Sequence, residues 1–134
     1  MDLNERNRQV IAQFRAGGEI DGMHRDRLLL LTTTGARTGR EHTTPVMFVR
    51  AGERLLVIAA AGGAPAHPDW YRNLVANPAV TVEIGQERYA ATATPLAGED
   101  YAREWATIKE AYPFFAEYEA KIDRTIPVVE LARR

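Results

Sequence analysis

The amino-acid sequence predicts one mainly β domain, a small barrel flanked by short helices. Three observations support this. At least five short segments are β-branched, aromatic or strictly alternating; most are joined by turns of a few residues carrying Gly; and the helical stretches do not alternate one-to-one with them, as a βαβ sheet requires. The 134 residues suit a single domain, 1–134, able to bury roughly two-thirds of its unfolded surface.

The elements follow in order. Asp2 and Glu5 have capping-box spacing, and Leu3, Val10, Ile11 and Phe14 share one face until Gly17 and Gly18, which predicts an amphipathic helix over 3–16. Its polar face mixes Glu5 with Arg6, Arg8 and Arg15, so it lacks the cationic bias of a membrane binder and suits covering a core. Residues 28–33 are an apolar run ending in threonines, 43–50 are β-branched and aromatic, and 54–60 follow an Ala51-Gly52-Glu53 turn: three antiparallel neighbours. Val80, Val82 and Ile84 alternate with polar residues, and Gly85-Gln86 turns the chain into 88–94, a second hairpin.

Helices punctuate these strands. Pro68 and Asp69 open a short one carrying Trp70, Tyr71 and Leu74, closed by Asn77-Pro78. After Gly98, Tyr101, Trp105, Ile108 and Tyr112 fall at i, i+4, i+7 and i+11, and Pro113 restarts the chain into a piece carrying Phe114, Phe115 and Tyr118. On spacing alone this aromatic stripe is core packing. Residues 125–131, with Pro127, suggest an edge or closing strand.

Composition removes most routes to chemistry. The chain has no Cys and no Ser, which excludes thiolate nucleophiles, Cys-ligated metals, disulfides and Ser-based triads. His24, His42 and His67 have no metal-ligand spacing, so no metal is expected, and the two lysines, Lys109 and Lys121, lie in a helix-like segment with solvated charges. A net charge of −1 disfavours nucleic acid as a partner. No apolar run approaches the ~20 residues of a membrane span, and the charged N-terminus is unlike a signal peptide, so a cytoplasmic location is expected, with contact at a membrane surface left open. An enzyme with this alphabet must borrow its reactive atom from an organic cofactor.

Two glycine loops offer a place for one. In GARTGREH, Gly35 and Gly39 permit tight backbone while Arg37, Arg40 and His42 can surround a phosphate or carboxylate. The P-loop and GxGxxG patterns are both absent. In the second loop, residues 59–64 are only Ala and Gly at a strand end, which lets a flat ring approach the backbone; a plain connection has the same composition. Trp70 can wall such a pocket or belong to the core.

The runs LLLLTTTGARTGREHTTPV, GG followed by HPDWYRNLVANPAV, AYPFF and IDRTIPVV occur in that order across nearly the whole chain, from Asn4 to Leu131. This arrangement closely resembles the deazaflavin (F420)-dependent nitroreductase family of split β-barrel oxidoreductases. The resemblance implies the FMN-binding/pyridoxamine-phosphate-oxidase-like split barrel, coenzyme F420 as cofactor, and hydride transfer to quinones, nitro compounds or other unsaturated acceptors.

Carried onto this sequence, the resemblance assigns Arg37, Arg40 and His42 to the anionic tail of the cofactor. It puts Thr43, Thr44, Pro45, Val46 and Met47 along the deazaflavin, with Ile58, Ala59, Ala60 and Ala61 on its opposite edge and Trp70 and Asn73 in support. Tyr112, Phe115 and Tyr118 would form the substrate side, with Tyr112 or Tyr118 as proton donor. The chain departs from the family pattern at Ala36-Arg37, where many members have two basic residues, and at His42, where many have Arg. It has Ala60-Ala61 in place of Ser-Lys, and Phe115 in place of a Tyr. The apolar changes keep open a non-catalytic fatty-acid or apolar-ligand carrier of the same fold; FMN or haem in place of the deazaflavin is a lesser alternative. Monomer and homodimer are both compatible with the sequence.

Overall fold

The computed structural model describes residues 3–20 and 25–134. Asp2 of the capping box and His24 lie outside them. Six strands form a closed antiparallel barrel in the order β1-β2-β3-β6-β5-β4: β1 Leu28–Thr34, β2 Glu41–Ala51, β3 Arg54–Ile58, β4 Ala79–Ile84, β5 Glu87–Pro95 and β6 Val128–Arg133. Closure leaves no unpaired barrel edge. The split-barrel expectation is met, and 125–131 resolves as a closing strand that begins only after Pro127.

β1 shows why a continuous apolar run is needed at its position. It pairs with β2 on one side, Leu28↔Met47 through Thr34↔Glu41, and with β4 on the other, Leu30↔Glu83. Leu29 and Leu31 enter the barrel core, whereas Leu28 and Leu30 face outward against Val10, Phe14 and Ile20. A strand covered on both faces has no polar alternation.

The cover is α1, Leu3–Ala16. Gly17, at φ +82°, ends it with its N–H on the Phe14 carbonyl, a conformation that disfavours any residue with a Cβ. Arg15 grips both carboxylate oxygens of Glu83 on β4 through Nε and Nη2 at 3.0 and 2.9 Å, which fixes the helix to the barrel. That bond outweighs the opposing effect of burial and holds the Glu83 carboxyl below its ordinary range.

One end of the barrel is plugged by α2, Asp69–Ala76. Trp70 and Leu74, one turn apart, pack with Leu29, Val57 and Val129. Trp70 is thus core, the structural reading its spacing left open. On the outside, α3 (Gly98–Ala111) and α4 (Phe114–Lys121) bury Trp105, Ile108 and Phe115 against Leu56, Ile58 and Val128. The Tyr101 hydroxyl donates to the Ile126 carbonyl at 2.7 Å, tying α3 to the segment before β6. Burial, with help from Glu119, pushes that phenol up to about 12.

Candidate functional site

The basic loop is a tight connection between β1 and β2. Gly35 donates to the Arg40 carbonyl at 2.7 Å, Gly39 donates back to Gly35 at 3.0 Å, and the Arg40 N–H meets Thr38 Oγ1 at 3.2 Å. A Cβ on Gly35 would come within 2.9 Å of Thr38 Oγ1 and 3.0 Å of His42 Nε2, so glycine permits the imidazole to lie against the loop backbone. Arg37, Arg40 and His42 are exposed, and none has an ion-pair partner among the described residues. Three donors without ion pairs, two on the turn and one at the start of β2, could together receive an anion.

Asn73 fixes this turn from beneath. It lies on the buried stripe of α2 between Trp70 and Leu74, only 8% exposed. Its side-chain oxygen accepts the Ala36 N–H at 3.0 Å, and its amide donates to Thr33 Oγ1 at 3.2 Å. The loop therefore takes its position from the helix that plugs the barrel.

β2 runs from the loop along the barrel wall, and strand alternation divides its residues. Val46 faces the barrel core, while Met47, on the opposite face, packs against the Ile58, Ala60 and Phe115 cluster. Thr43 and Pro45 share the Met47 face; Thr43 exchanges a hydroxyl contact of 2.8 Å with Thr32. Thr44 shares the Val46 face and is half-buried near the barrel end. From His42 to Met47 the strand covers about 17 Å at its usual rise. A ligand that touches both ends of this wall must be elongated.

At the far end lies the second loop. Ala59 is buried in the barrel core and Ala60 in the aromatic cluster. Ala61, Gly62 and Gly63 then follow one another at φ +51°, +63° and +84°. The Gly63 and Ala64 N–H groups turn back on the Ala60 and Ala61 carbonyls at 2.9 and 3.1 Å. Tyr118 of α4 rests on Gly63 so closely that a Cβ there would be 3.0 Å from its ring.

The aromatic side of the site is nested around Phe115. This ring is 4% exposed and meets Trp105, Tyr112, Phe114 and Tyr118 with centroids 4.4 to 6.3 Å apart. Phe115 is therefore the buried centre of this aromatic cluster, with too little exposure to meet a substrate directly. Tyr112 and Tyr118 are half-buried, and their hydroxyls have no hydrogen-bond partner among the described residues. Tyr101, the third hydroxyl of the cluster, is committed to Ile126.

One residue given no role from sequence alone, Arg124 in the run IDRTIPVV, completes the loop. Arg124 donates to the carbonyls of Ala59, Ala60 and Ala64 at 2.8 to 3.1 Å and lies 3.2 Å from His67 Nδ1. Burial, followed by the charges of Arg124 and Arg72, lowers the His67 pKa. Local periodicity carries no sign of Arg124, whose partners are about 60 residues away. Among the described residues no cluster of His, Asp or Glu could hold a metal ion, and no helix is long and apolar enough to cross a membrane.

These features fit an elongated cofactor with an anionic tail and a planar ring: unpaired cations at one end of the wall, and a backbone without bulky side chains at the other. Comparison with known proteins agrees. The sequence is 42% identical over 109 residues to an F420H(2)-dependent quinone reductase of Mycobacterium tuberculosis, covering 79% of this chain and 73% of that one. A solved F420-H2 dependent reductase, FDR-A, is 42% identical with a TM-score of 0.69, covering 78% of this chain and 93% of that one. A Listeria innocua protein described as a pyridoxamine 5'-phosphate oxidase, 16% identical with a TM-score of 0.57 over 81% of this chain and 84% of its own, shares the fold. The profile of the F420H(2)-dependent quinone reductase family matches residues 5–132, and the chain belongs to that family.

Proposed function

We propose that this protein takes hydride from reduced coenzyme F420 and delivers it to a quinone, with nitro compounds and other unsaturated rings as further acceptors. The observation that carries this reading is the opposite chemistry of the two glycine loops along one wall: unpaired Arg37, Arg40 and His42 at one end, and the Ala59–Ala64 backbone at the other. The family relationship supports it.

In this reading Arg37, Arg40 and His42 bind the phosphate and carboxylates of the tail. Thr43, Pro45 and Met47 lie along the ring, and the loop at Ala60 and Ala61 meets its polar edge. The cofactor, when bound, supplies the hydride, so the protein's task is to hold donor and acceptor in register and to exclude water. The aromatic neighbours of Phe115, packed on its ring, make a rigid apolar floor for the acceptor. Tyr112 and Tyr118 offer the uncommitted hydroxyls that can donate a proton to a reduced acceptor oxygen or stabilise its charge.

Titration of the purified protein with reduced cofactor, followed by turnover with menadione, tests this. Saturable binding at micromolar cofactor and oxidation that depends on menadione are expected. Absence of binding, together with a fatty acid retained through purification, would favour the apolar carrier instead.

A further inference from the structure

The second glycine loop is an unfavourable piece of backbone. Three consecutive residues take positive φ, and one of them, Ala61 at +51°, carries a Cβ. Its internal hydrogen bonds number two, from Gly63 to Ala60 and from Ala64 to Ala61. A conformation of this kind persists where its surroundings over-determine it.

Arg124 is what over-determines it. Its Nε meets the Ala64 carbonyl at 3.1 Å, Nη1 the Ala59 carbonyl at 3.1 Å, and Nη2 the Ala60 carbonyl at 2.8 Å. One planar fork thereby holds carbonyls on both sides of the turn at Ala61–Gly63. Arginine suits this task because its donors are rigidly arrayed and permanently charged, whereas an ammonium is a single point donor. The guanidinium itself is anchored on the stretch between α4 and β6, where Tyr101 grips Ile126.

The shortest of these bonds has a chemical consequence. The Ala60 carbonyl and the Ala61 N–H belong to one peptide group, and a cation bonded to the oxygen draws electron density from the nitrogen. The N–H becomes a stronger donor. The Ala61 N–H has no partner among the described residues. It is therefore available to an acceptor atom on whatever ring lies against the loop.

We propose that Arg124 is a positioning residue: it holds the Ala59–Ala64 loop in its left-handed turn and polarises the Ala61 peptide, so that a planar ring with a carbonyl edge is received by the backbone instead of by a side chain. The identity of that ring as the deazaflavin rests on the function proposed above, while the hold on the loop does not. This arrangement also accounts for a polar-edge site built with Ala60 and Ala61, whose side chains offer no donor.

The test compares wild type with R124A and R124K in two measurements. The first is amide hydrogen exchange without cofactor. In both variants the hydrogen-bonded amides of Gly63 and Ala64 should exchange about tenfold faster or more, with those of the six strands unchanged. The second is reduced-cofactor affinity and the split between kinetic constants. The cofactor Kd and KM should rise by about tenfold in R124A and by nearly as much in R124K, while the menadione KM stays within about twofold. Ethylguanidinium added to R124A should recover part of the affinity. Unchanged exchange in the loop, or full recovery by lysine, would overturn the proposal. If R124A does not fold, R124K alone decides it. If wild type binds no reduced cofactor, the proposed function fails, and the exchange measurement still decides the role of Arg124.

Discussion

The side-chain oxygen of Asn73 accepts the backbone N–H of Ala36 at 3.0 Å, so a residue in the plug of the barrel sets the height of the basic loop. The same amide holds Thr33 Oγ1, and the three groups form one chain of bonds, buried at Thr33 and Asn73, linking α2, β1 and the loop. N73A leaves the Ala36 N–H and the Thr33 hydroxyl without this partner, at a cost of about 1–3 kcal/mol. Chemical denaturation should show that loss, and cofactor affinity should fall with it. A stability unchanged within about 0.5 kcal/mol would show that water takes over both bonds.

R37A and R40A should leave stability untouched, because both side chains are exposed and without ion pairs among the described residues. Each should weaken cofactor binding by about fivefold to tenfold, and the loss should shrink in high salt. Equal affinity in the double variant would remove the anionic tail from this loop.

His67 sets a pH dependence. Its pKa lies below the ordinary 6.5 because burial, then the Arg124 and Arg72 charges, penalise the imidazolium. The unfolded chain therefore binds this proton more readily, so the stability contributed by His67 is present above pH 6.5 and is lost as pH falls below it. Urea midpoints should decline from pH 7 toward pH 5.5 in wild type and less in H67Q. Parallel slopes in the two proteins would contradict the shift. Glu83, lowered by its Arg15 bond, loses its contribution at more acid pH, below the ordinary carboxylate value of 4.5.

The second loop separates two kinds of substitution. A61G relieves a side chain at φ +51°, a gain of about 1–2 kcal/mol that is partly offset by about 0.4–1 kcal/mol of chain entropy, so it should be neutral to slightly stabilising. G63A adds a Cβ at φ +84° and drives it to 3.0 Å from the Tyr118 ring, and should destabilise by more than about 1 kcal/mol. Thermal melts of the two variants should shift in these different directions. A melt of G63A at or above wild type would show that Tyr118 does not rest on the loop.

Much of the framework was legible because it depends on neighbours in sequence. Alternation in Val80, Val82 and Ile84, the Gly85 turn and the Ala51-Gly52-Glu53 turn specify hairpins that form as expected. The basic character of the Gly35 to His42 loop was equally visible. Strand limits were less so: β3 ends at Ile58, earlier than its apolar run, because its pairing with β2 stops at Phe48↔Val57 and, after one further bond from the Ala59 N–H to the Pro127 carbonyl, the backbone turns at positive φ from Ala61.

What residue order alone determined, then, is the sequence of strands, turns and helices and the presence of two chemically distinct glycine loops, since hydrophobic period and turn chemistry act over a few residues. Tertiary structure decided which faces those elements present. Trp70 had two directions open to it, and only closure of the barrel, with an end to be filled, sent it into the core. Phe115 went beneath the aromatic cluster because α4 packs on the outer face of β3 and β6, leaving Tyr112 and Tyr118 half-buried around it. Arg124 is the clearest case. Its hydrogen bonds to Ala59 and Ala60 span 65 and 64 residues, and no local pattern encodes so distant a partner.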